Sequence, residues 1–278
     1  MIEIKYKLIC IDMDETLLNK EHEVSERNKD VIKKAHAKGI HIVVSTGRGF
    51  ANAEEFSKLI GVKSPVIASN GAIIRGIDKN QIIYKSYFDT RDCTRILDIF
   101  KKYKIKPYFS TPEKNYTGNL KMKILSERAK LCNKKLRKIK LEYVPFYKHW
   151  TKVFEQEKDN MVKCEVKCRD NVKINSIRKE LQELKEFEVV SFSARIEITK
   201  KGISKGKAVE KLARYYGIER EEIIAIGDSE NDLSMIKYAG VGIAMGNAIE
   251  KLKENADYVT DTNDNDGVAK AICKYVLE

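Results

Sequence analysis

Lys7-Leu8-Ile9-Cys10-Ile11-Asp12-Met13-Asp14-Glu15-Thr16 is the stretch on which the reading of this chain turns. Lys7–Ile11 reads as a short buried strand. Two aspartates and a threonine follow it at once. Sites in open parallel sheets form at the carboxyl ends of strands. Two carboxylates two residues apart, on a turn leaving a buried strand, can converge on one metal or one reacting atom. Taken alone, Asp-x-Asp is also the pattern of a solvated acidic turn, so its meaning depends on the surrounding segments.

Outward from this strand, the first 80 residues alternate strand and helix. Ser25 is placed to cap a helix carrying Val31, Ile32 and Ala35 and ended by Gly39. Ile40–Val44 is a second strand, Ala51–Ile60 a helix and Val66–Ala68 a third strand. This order implies a parallel sheet with helices on both faces. The same grammar returns near the end. Ser204 caps a helix to Tyr216, followed by Gly217. Strands are expected at Ile223–Ile226, Val241–Ala244 and Tyr258–Thr260, and helices at Asp232–Ala239 and Val268–Val276. The middle reads differently, as Lys-rich helical stretches (Thr94–Lys104, Lys121–Lys138, Ile174–Leu184) between alternating strands such as Met161–Lys167 and Glu188–Phe192. The chain is therefore α/β, with a Rossmann-like parallel-sheet core interrupted by an α+β module.

Charge marks the same division. The 278 residues carry a net +12. Residues 84–191 hold 27 Lys/Arg and 15 Asp/Glu, a net of +12, which leaves 26 basic and 26 acidic residues for the rest. A segment that carries the whole imbalance reads as a domain inserted into another. With 42% apolar and 34% charged residues, a well-buried core is within reach and disorder is excluded. The start Met1–Lys7 is too charged for a signal peptide, and no window approaches 18 apolar residues. The six cysteines lack zinc-type spacing and read as free thiols in a reducing cytoplasm. The four histidines form no metal-ligand pair.

Three further segments bear on chemistry. Ser45-Thr46-Gly47-Arg48 follows a strand, and small hydroxyl residues before Gly let backbone N–H groups approach a phosphate oxygen. By itself this is also a common helix entry. Gly202-Ile203-Ser204-Lys205-Gly206-Lys207 opens a helix, where a lysine works against the helix dipole unless an anion is near; the plain alternative is one more solvated lysine. Gly227-Asp228-Ser229-Glu230-Asn231-Asp232 leaves another strand with more acids than a helix cap needs. Together these segments gather acids, a lysine and a hydroxyl at one edge of one sheet. A metal explains how so many carboxylates sit together, and an oxygen-only set without His or Cys suits Mg²⁺.

This set resembles the haloacid dehalogenase superfamily, in its Cof-type phosphatase branch. Asp12-Met13-Asp14-Glu15-Thr16 resembles that family's first motif, Thr46 its second, Lys205 its third, and Asp228 with Asp232 its fourth. Ser69-Asn70-Gly71-Ala72, Gly246-Asn247-Ala248 and Asp266-Gly267-Val268-Ala269 also resemble family segments. The resemblance implies a catalytic core over 1–83 and 192–278, and a cap at 84–191 that opens and closes over the site and selects the substrate. It implies an Mg²⁺-dependent phosphatase of small phosphomonoesters, such as a sugar phosphate, a nucleotide or a cofactor phosphate. Asp12 would be the nucleophile that forms an aspartyl-phosphate, Asp14 the general acid and base, and Lys205 the cation that screens the phosphate. Mg²⁺ would be held by Asp12, the backbone carbonyl of Asp14 and Asp228. Thr16, Ser229 and Asp232 would stand behind these groups, with Asp232 orienting Lys205 or a metal-bound water. Met13 (through its backbone), Thr46, Gly47, Asn231 and, on the cap side, Arg48 would contact phosphate or substrate. One departure stands out: Glu15 occupies a position where the family usually has Gly, and Glu takes positive φ less readily.

Related chemistries fit less well. A phosphomutase is a near relative, although most members of the branch hydrolyse. A P-type ATPase shares the aspartyl-phosphate but needs membrane helices, and a bacterial receiver domain is about half this length. A reading from another class is nucleic-acid binding by the basic insert, where Tyr143–Trp150 interleaves aromatics and cations. Lysine-rich modules are more often solvated surface, so the expected partner is a small phosphorylated molecule, with no membrane and no obligate protein partner.

Overall fold

The computed structural model describes residues 5–78, 81–132, 140–192 and 194–278. Contacts divide the chain into two compact units. One comprises Met1–Arg48, Ala53–Tyr84 and Ser204–Glu278; the other comprises Gly49–Asn52 and Lys85–Ile203.

The first unit is built on an eight-stranded sheet. Its strands are β1 (Leu8–Ile11), β2 (His41–Ser45), β3 (Val66–Ala68), β4 (Ile73–Arg75) and β5 (Ile82–Lys85), followed after the insertion by β12 (Ile223–Gly227), β13 (Val241–Ala244) and β14 (Tyr258–Val259). They lie in the order β14-β13-β12-β1-β2-β3-β4-β5. From β14 to β3 every pairing is parallel, and β4 then runs antiparallel to β3. Leu8, Ile9, Cys10 and Ile11 are all buried, as a central parallel strand covered on both faces must be. The helices are α1 (Glu26–Ala37), α2 (Phe50–Ser57), α7 (Lys205–Tyr216), α8 (Leu233–Tyr238), α9 (Glu250–Lys253) and α10 (Gly267–Ile272). α1 packs on α10, and α7 on α8. Ser25 Oγ accepts the N–H of Asn28 to start α1, and Ser204 Oγ accepts that of Lys207 to start α7. Gly217, left-handed, ends α7.

The inserted unit is α+β. Its strands are β6 (Tyr108–Ser110), β7 (Lys114–Thr117), β8 (Lys140–Tyr143), β9 (Lys163–Lys167), β10 (Phe187–Phe192) and β11 (Arg195–Lys200), in the order β10-β11-β9-β6-β7-β8. Helices α3 (Thr90–Lys102), α5 (Tyr147–Gln156) and α6 (Asn171–Glu183) bury their apolar sides on one sheet face, and α4 (Leu120–Cys132) follows β7. Phe109 centres this core, 5.4 Å from the Trp150 ring and 5.0 Å from the Phe154 ring. Trp150 is therefore a core residue and unavailable for stacking on bases, which removes the strongest member of the Tyr143–Trp150 segment from the nucleic-acid reading. On the other sheet face lies a charged cluster, in which Lys163 pairs with Glu165 and Glu197, and Arg195 with both.

Two sequence expectations need adjustment. The second boundary of the insert falls at 203/204 rather than 191/192, because Arg195–Lys200 pairs between β9 and β10 in the insert's own sheet. Of the helix expected at Lys121–Lys138, α4 accounts for the part to Cys132, and 133–138 lie outside the described residues. Among the described residues, Cys10, Cys93, Cys164, Cys168 and Cys273 are free. Among the described residues, no helix is long and apolar enough to cross a membrane.

Candidate active site

Strand register gathers the site. Ile11 lies opposite Val44 of β2 on one side and Ile226 of β12 on the other. The first residue past β1, Asp12, thus emerges between the Ser45–Thr46 and Gly227–Asp228 strand ends. Its N–H still donates to the Ile226 carbonyl at 2.9 Å, so the ladder fixes its position. α7 brings Lys205 to the same place. Gly206 permits this, since a Cβ there would overlap the Ser234 carbonyl of α8.

The centre is a buried ion cluster. The Lys205 ammonium donates at 2.5 Å to Asp12 Oδ1 and at 2.5 Å to Asp232 Oδ1, and is itself 0% exposed. Asp232 Oδ2 accepts the N–H groups of Asp228 (3.1 Å) and Ser229 (3.0 Å). Both Asp232 oxygens are thus committed to holding Lys205 and the β12 turn. Asp228 Oδ1 accepts the Thr16 hydroxyl at 2.6 Å. By contrast, Lys207 points outward and pairs with Glu210 at 2.8 Å.

Three carboxylates, those of Asp12, Asp228 and Asp232, offer oxygens within 4.8 Å of one another and share one ammonium. Such an excess of buried negative charge is unfavourable without a proton or another cation. The titrations reflect this. Burial and then Asp232 push the Asp12 carboxyl well above its ordinary range, and the same two causes push Asp228 up to about 7. Burial alone would lower Lys205, but Asp12 and Asp232 outweigh it and hold the ammonium above its usual value. The cluster could therefore hold a metal ion. A hard divalent cation fits the oxygen-only donors and the charge deficit. Asp12 and Asp228 are better placed as ligands than Asp232, whose oxygens are already used.

The remaining turns set the surroundings. The Arg48 guanidinium grips Asp14 with two prongs, Nε to Oδ2 at 2.8 Å and Nη2 to Oδ1, while its face lies 4.2 Å over the Phe56 ring. Sequence reasoning had no signal for this Arg48–Asp14 pair, which joins residues 34 apart. Thr46 is buried; its N–H donates to Ile67 and its Oγ1 accepts the Arg48 N–H at 3.1 Å. Gly47 lies between these two residues. Asn231 is held by Ser229, whose hydroxyl donates to Asn231 Oδ1 at 2.7 Å, and by Asn70, which accepts from Asn231 Nδ2 at 3.0 Å. Met13 is buried, with its carbonyl accepting the Leu18 N–H.

Glu15 does adopt the left-handed conformation, at φ 57°. Asn247 Nδ2 donates to its carbonyl at 2.8 Å. Asn263 in turn donates its N–H to Asn247 Oδ1 and its Nδ2 to the Leu18 carbonyl. This clamp imposes the turn on a residue that resists it by about 1–2 kcal/mol. Glycine would relieve that cost but lose more chain entropy, about 0.5–1 kcal/mol. Glu15→Gly is expected to raise stability in urea by about 0.5–1 kcal/mol, the difference of these terms, and Glu15→Val to lower it. A destabilised Glu15→Gly would refute the strain assignment.

The comparisons agree with this geometry. Residues 9–272 match the family of haloacid dehalogenase-like hydrolases. The 5-amino-6-(5-phospho-D-ribitylamino)uracil phosphatase YcsE of Bacillus subtilis is 34% identical over 277 residues, covering 99% of this chain and 98% of its own. A haloacid dehalogenase-like hydrolase from B. subtilis superposes with a TM-score of 0.83 at 30% identity, over 96% of this chain and 98% of its own. A sugar phosphatase of HAD subclass IIB does so at 0.77 and 25% identity, over 97% and 98%. With sheet order, inserted cap and family match in agreement, this chain belongs to the haloacid dehalogenase-like hydrolases, and it is a phosphatase.

Proposed function

We propose that the protein is a magnesium-dependent hydrolase of small phosphomonoesters that transfers the phosphoryl group to Asp12 and then to water. The observation that carries this reading is the Lys205 ammonium set between Asp12 and Asp232, with Thr16-held Asp228 beside them. A carboxylate is a weak nucleophile and is repelled by a phosphate dianion. It reacts only if held in line with phosphorus while fixed positive charge screens the repulsion.

In this reading Asp12 Oδ attacks phosphorus as the bond to the leaving oxygen breaks. Asp14 gives that oxygen a proton, then takes one from the water that hydrolyses the acyl phosphate. In the structure the Asp14 carboxyl is held by Arg48; to act on the leaving oxygen it must let go of Arg48. Lys205 screens the phosphoryl oxygens, and Asp232 keeps Lys205 from folding away. Thr46, Gly47, the Met13 backbone and Asn231 supply donors for the remaining phosphate oxygens. Magnesium, when bound by Asp12, the Asp14 carbonyl and Asp228, supplies the positive charge that the carboxylate cluster lacks. The inserted cap, whose residues 84–191 carry a net +12, would choose the leaving group. The relatives named for ribityl and sugar phosphates support a phosphorylated sugar or sugar alcohol as the first class to test. The free thiols support a reducing, cytoplasmic setting. Screening purified protein with Mg²⁺ against sugar phosphates, nucleotides and cofactor phosphates tests the reading, and failure to hydrolyse any of them would reject it.

Metal dependence has a pH signature. The raised Asp228 carboxyl binds its proton more tightly folded than unfolded. Its contribution to apo-protein stability is therefore complete below the ordinary carboxylate range and is lost as pH rises through about 7. A metal competes with that proton. The rise in Tm caused by Mg²⁺ should accordingly be larger at pH 8 than at pH 6, and excess EDTA should cut turnover by more than about 100-fold. Ca²⁺, with more ligands at longer distances, should inhibit. Undiminished turnover in EDTA would contradict the metal assignment.

A further inference from the structure

The segment between β3 and β4 has no role in the reaction as described so far, yet its backbone is unusual. Ser69, Asn70 and Gly71 are three consecutive residues with positive φ, at 53°, 55° and 101°. Such conformations are rare for residues with a side chain, although Asn tolerates them better than most. Neighbours force the shape. The Ser69 N–H donates to the Arg48 carbonyl at 2.8 Å, and the Asn70 N–H donates to the Thr46 carbonyl at 3.1 Å. Gly71 lies so close to the start of α7 that a Cβ would overlap the Ser204 carbonyl. The strained turn thus joins the loop carrying Thr46 to the helix end carrying Lys205.

From this turn the buried Asn70 side chain reaches Asn231. Its Oδ1 accepts one N–H of the Asn231 amide at 3.0 Å, and the Asn231 carbonyl oxygen accepts the Ser229 hydroxyl at 2.7 Å. An amide gripped at both ends keeps one orientation and has one N–H left to offer. If the Asn231 amide turned over, its oxygen would face the Asn70 oxygen.

We propose that Asn70 is a positioning residue for phosphoryl transfer: it fixes the flip of the Asn231 amide so that the second Nδ2–H is presented to a phosphoryl oxygen. This rests on the reading above that Asn231 contacts phosphate. The strained turn is the means, because it ties the position of Asn70 to Thr46 and Lys205 and so keeps the donors in mutual register.

The test uses the full-length protein, p-nitrophenyl phosphate as substrate and vanadate as a probe of the phosphoryl site. Asn70→Gly removes the side chain while retaining a residue at ease with the left-handed backbone. The variants Asn231→Ala and Asn70→Gly/Asn231→Ala complete a cycle. Loss of the partner that orients a metal ligand costs about 10–100-fold, and a similar scale is expected for an oriented phosphate donor. Asn70→Gly should therefore lower kcat/KM and weaken vanadate binding on that scale, with the Mg²⁺ concentration for half-maximal activity unchanged. The double variant should match Asn231→Ala within about twofold. Multiplying losses, or a shifted Mg²⁺ requirement, would show that Asn70 supports the fold at large and overturn the proposal. If Asn231→Ala itself changes neither kcat/KM nor vanadate affinity, the phosphate contact of Asn231 fails and the proposal with it, whereas the roles of Asp12 and Lys205 are untouched.

Discussion

Asp12→Asn is expected to lower turnover at least 100-fold, on the order of losing a principal stabilising group in an active site, while the protein stays folded. An amide oxygen cannot displace an alkoxide from phosphorus, so the covalent route closes entirely. The fold should tolerate the change, because Asp12 is placed by its backbone, through the β1 ladder and the Ile226 carbonyl, and Asn is nearly the same size. The substitution also removes one of three carboxylates crowded around Lys205. The apo variant should be no less stable than wild type, and it should gain less stability from Mg²⁺. Retention of more than about 1% of wild-type activity, against a scale of losses that begins near 100-fold, would rule out nucleophilic attack by Asp12. A melt showing global unfolding would instead leave the loss of turnover uninformative, so circular dichroism belongs in the same experiment.

Lys205→Ala is expected to be nearly as severe for catalysis and worse for the fold. Lys205 is fully buried and touches both Asp12 and Asp232. Its removal should lower kcat/KM by about 10²–10³-fold, the range for deleting one preorganised donor to a developing charge. It also leaves Asp12, Asp228 and Asp232 without their ammonium. Breaking a buried pair from one side costs about 3–5 kcal/mol, and the apo variant should lose stability on that scale at pH 8. Part of the loss should return at pH 5, where the orphaned carboxyls can protonate. Lys207→Ala is the control: its side chain is exposed and paired with Glu210, and kcat/KM should stay within about twofold, as for a site without shared partners. Equal losses for both lysines would reject the assignment of Lys205 by helix geometry.

The contrast between these two lysines was legible before any coordinates. With Ser204 as the cap, Lys205 begins the helix, and Lys207 lies roughly 200° further round it. The core strands were legible for a similar reason: Leu8–Ile11, Ile42–Val44 and Ile223–Ile226 are continuous apolar runs, as a doubly covered parallel sheet needs. What escaped was set by long-range contact. Nothing local in Arg48 announces Asp14, and nothing in Asn70 announces Asn231, 161 residues away. The β3–β4 hairpin did carry a signal, Asn70-Gly71 between two apolar runs, which is a turn pattern. The strand Arg195–Lys200 alternates with period two, but the sequence reading gave this stretch to the core and named no strand there; its membership of the insert's sheet depends on pairing with β9. The insert remains the least readable part in functional terms, because its sequence gives charge and core but no motif tied to a substrate.

The central claim is that phosphate passes through Asp12. It is tested most directly by quenching the enzyme in acid during steady turnover, reducing it with borohydride, and mapping the peptide around β1. An acyl phosphate is reduced to the alcohol, so the account predicts homoserine at position 12 that depends on substrate and is absent from Asp12→Asn. Brisk turnover with aspartate intact at position 12, or reduction at another carboxylate, would contradict it.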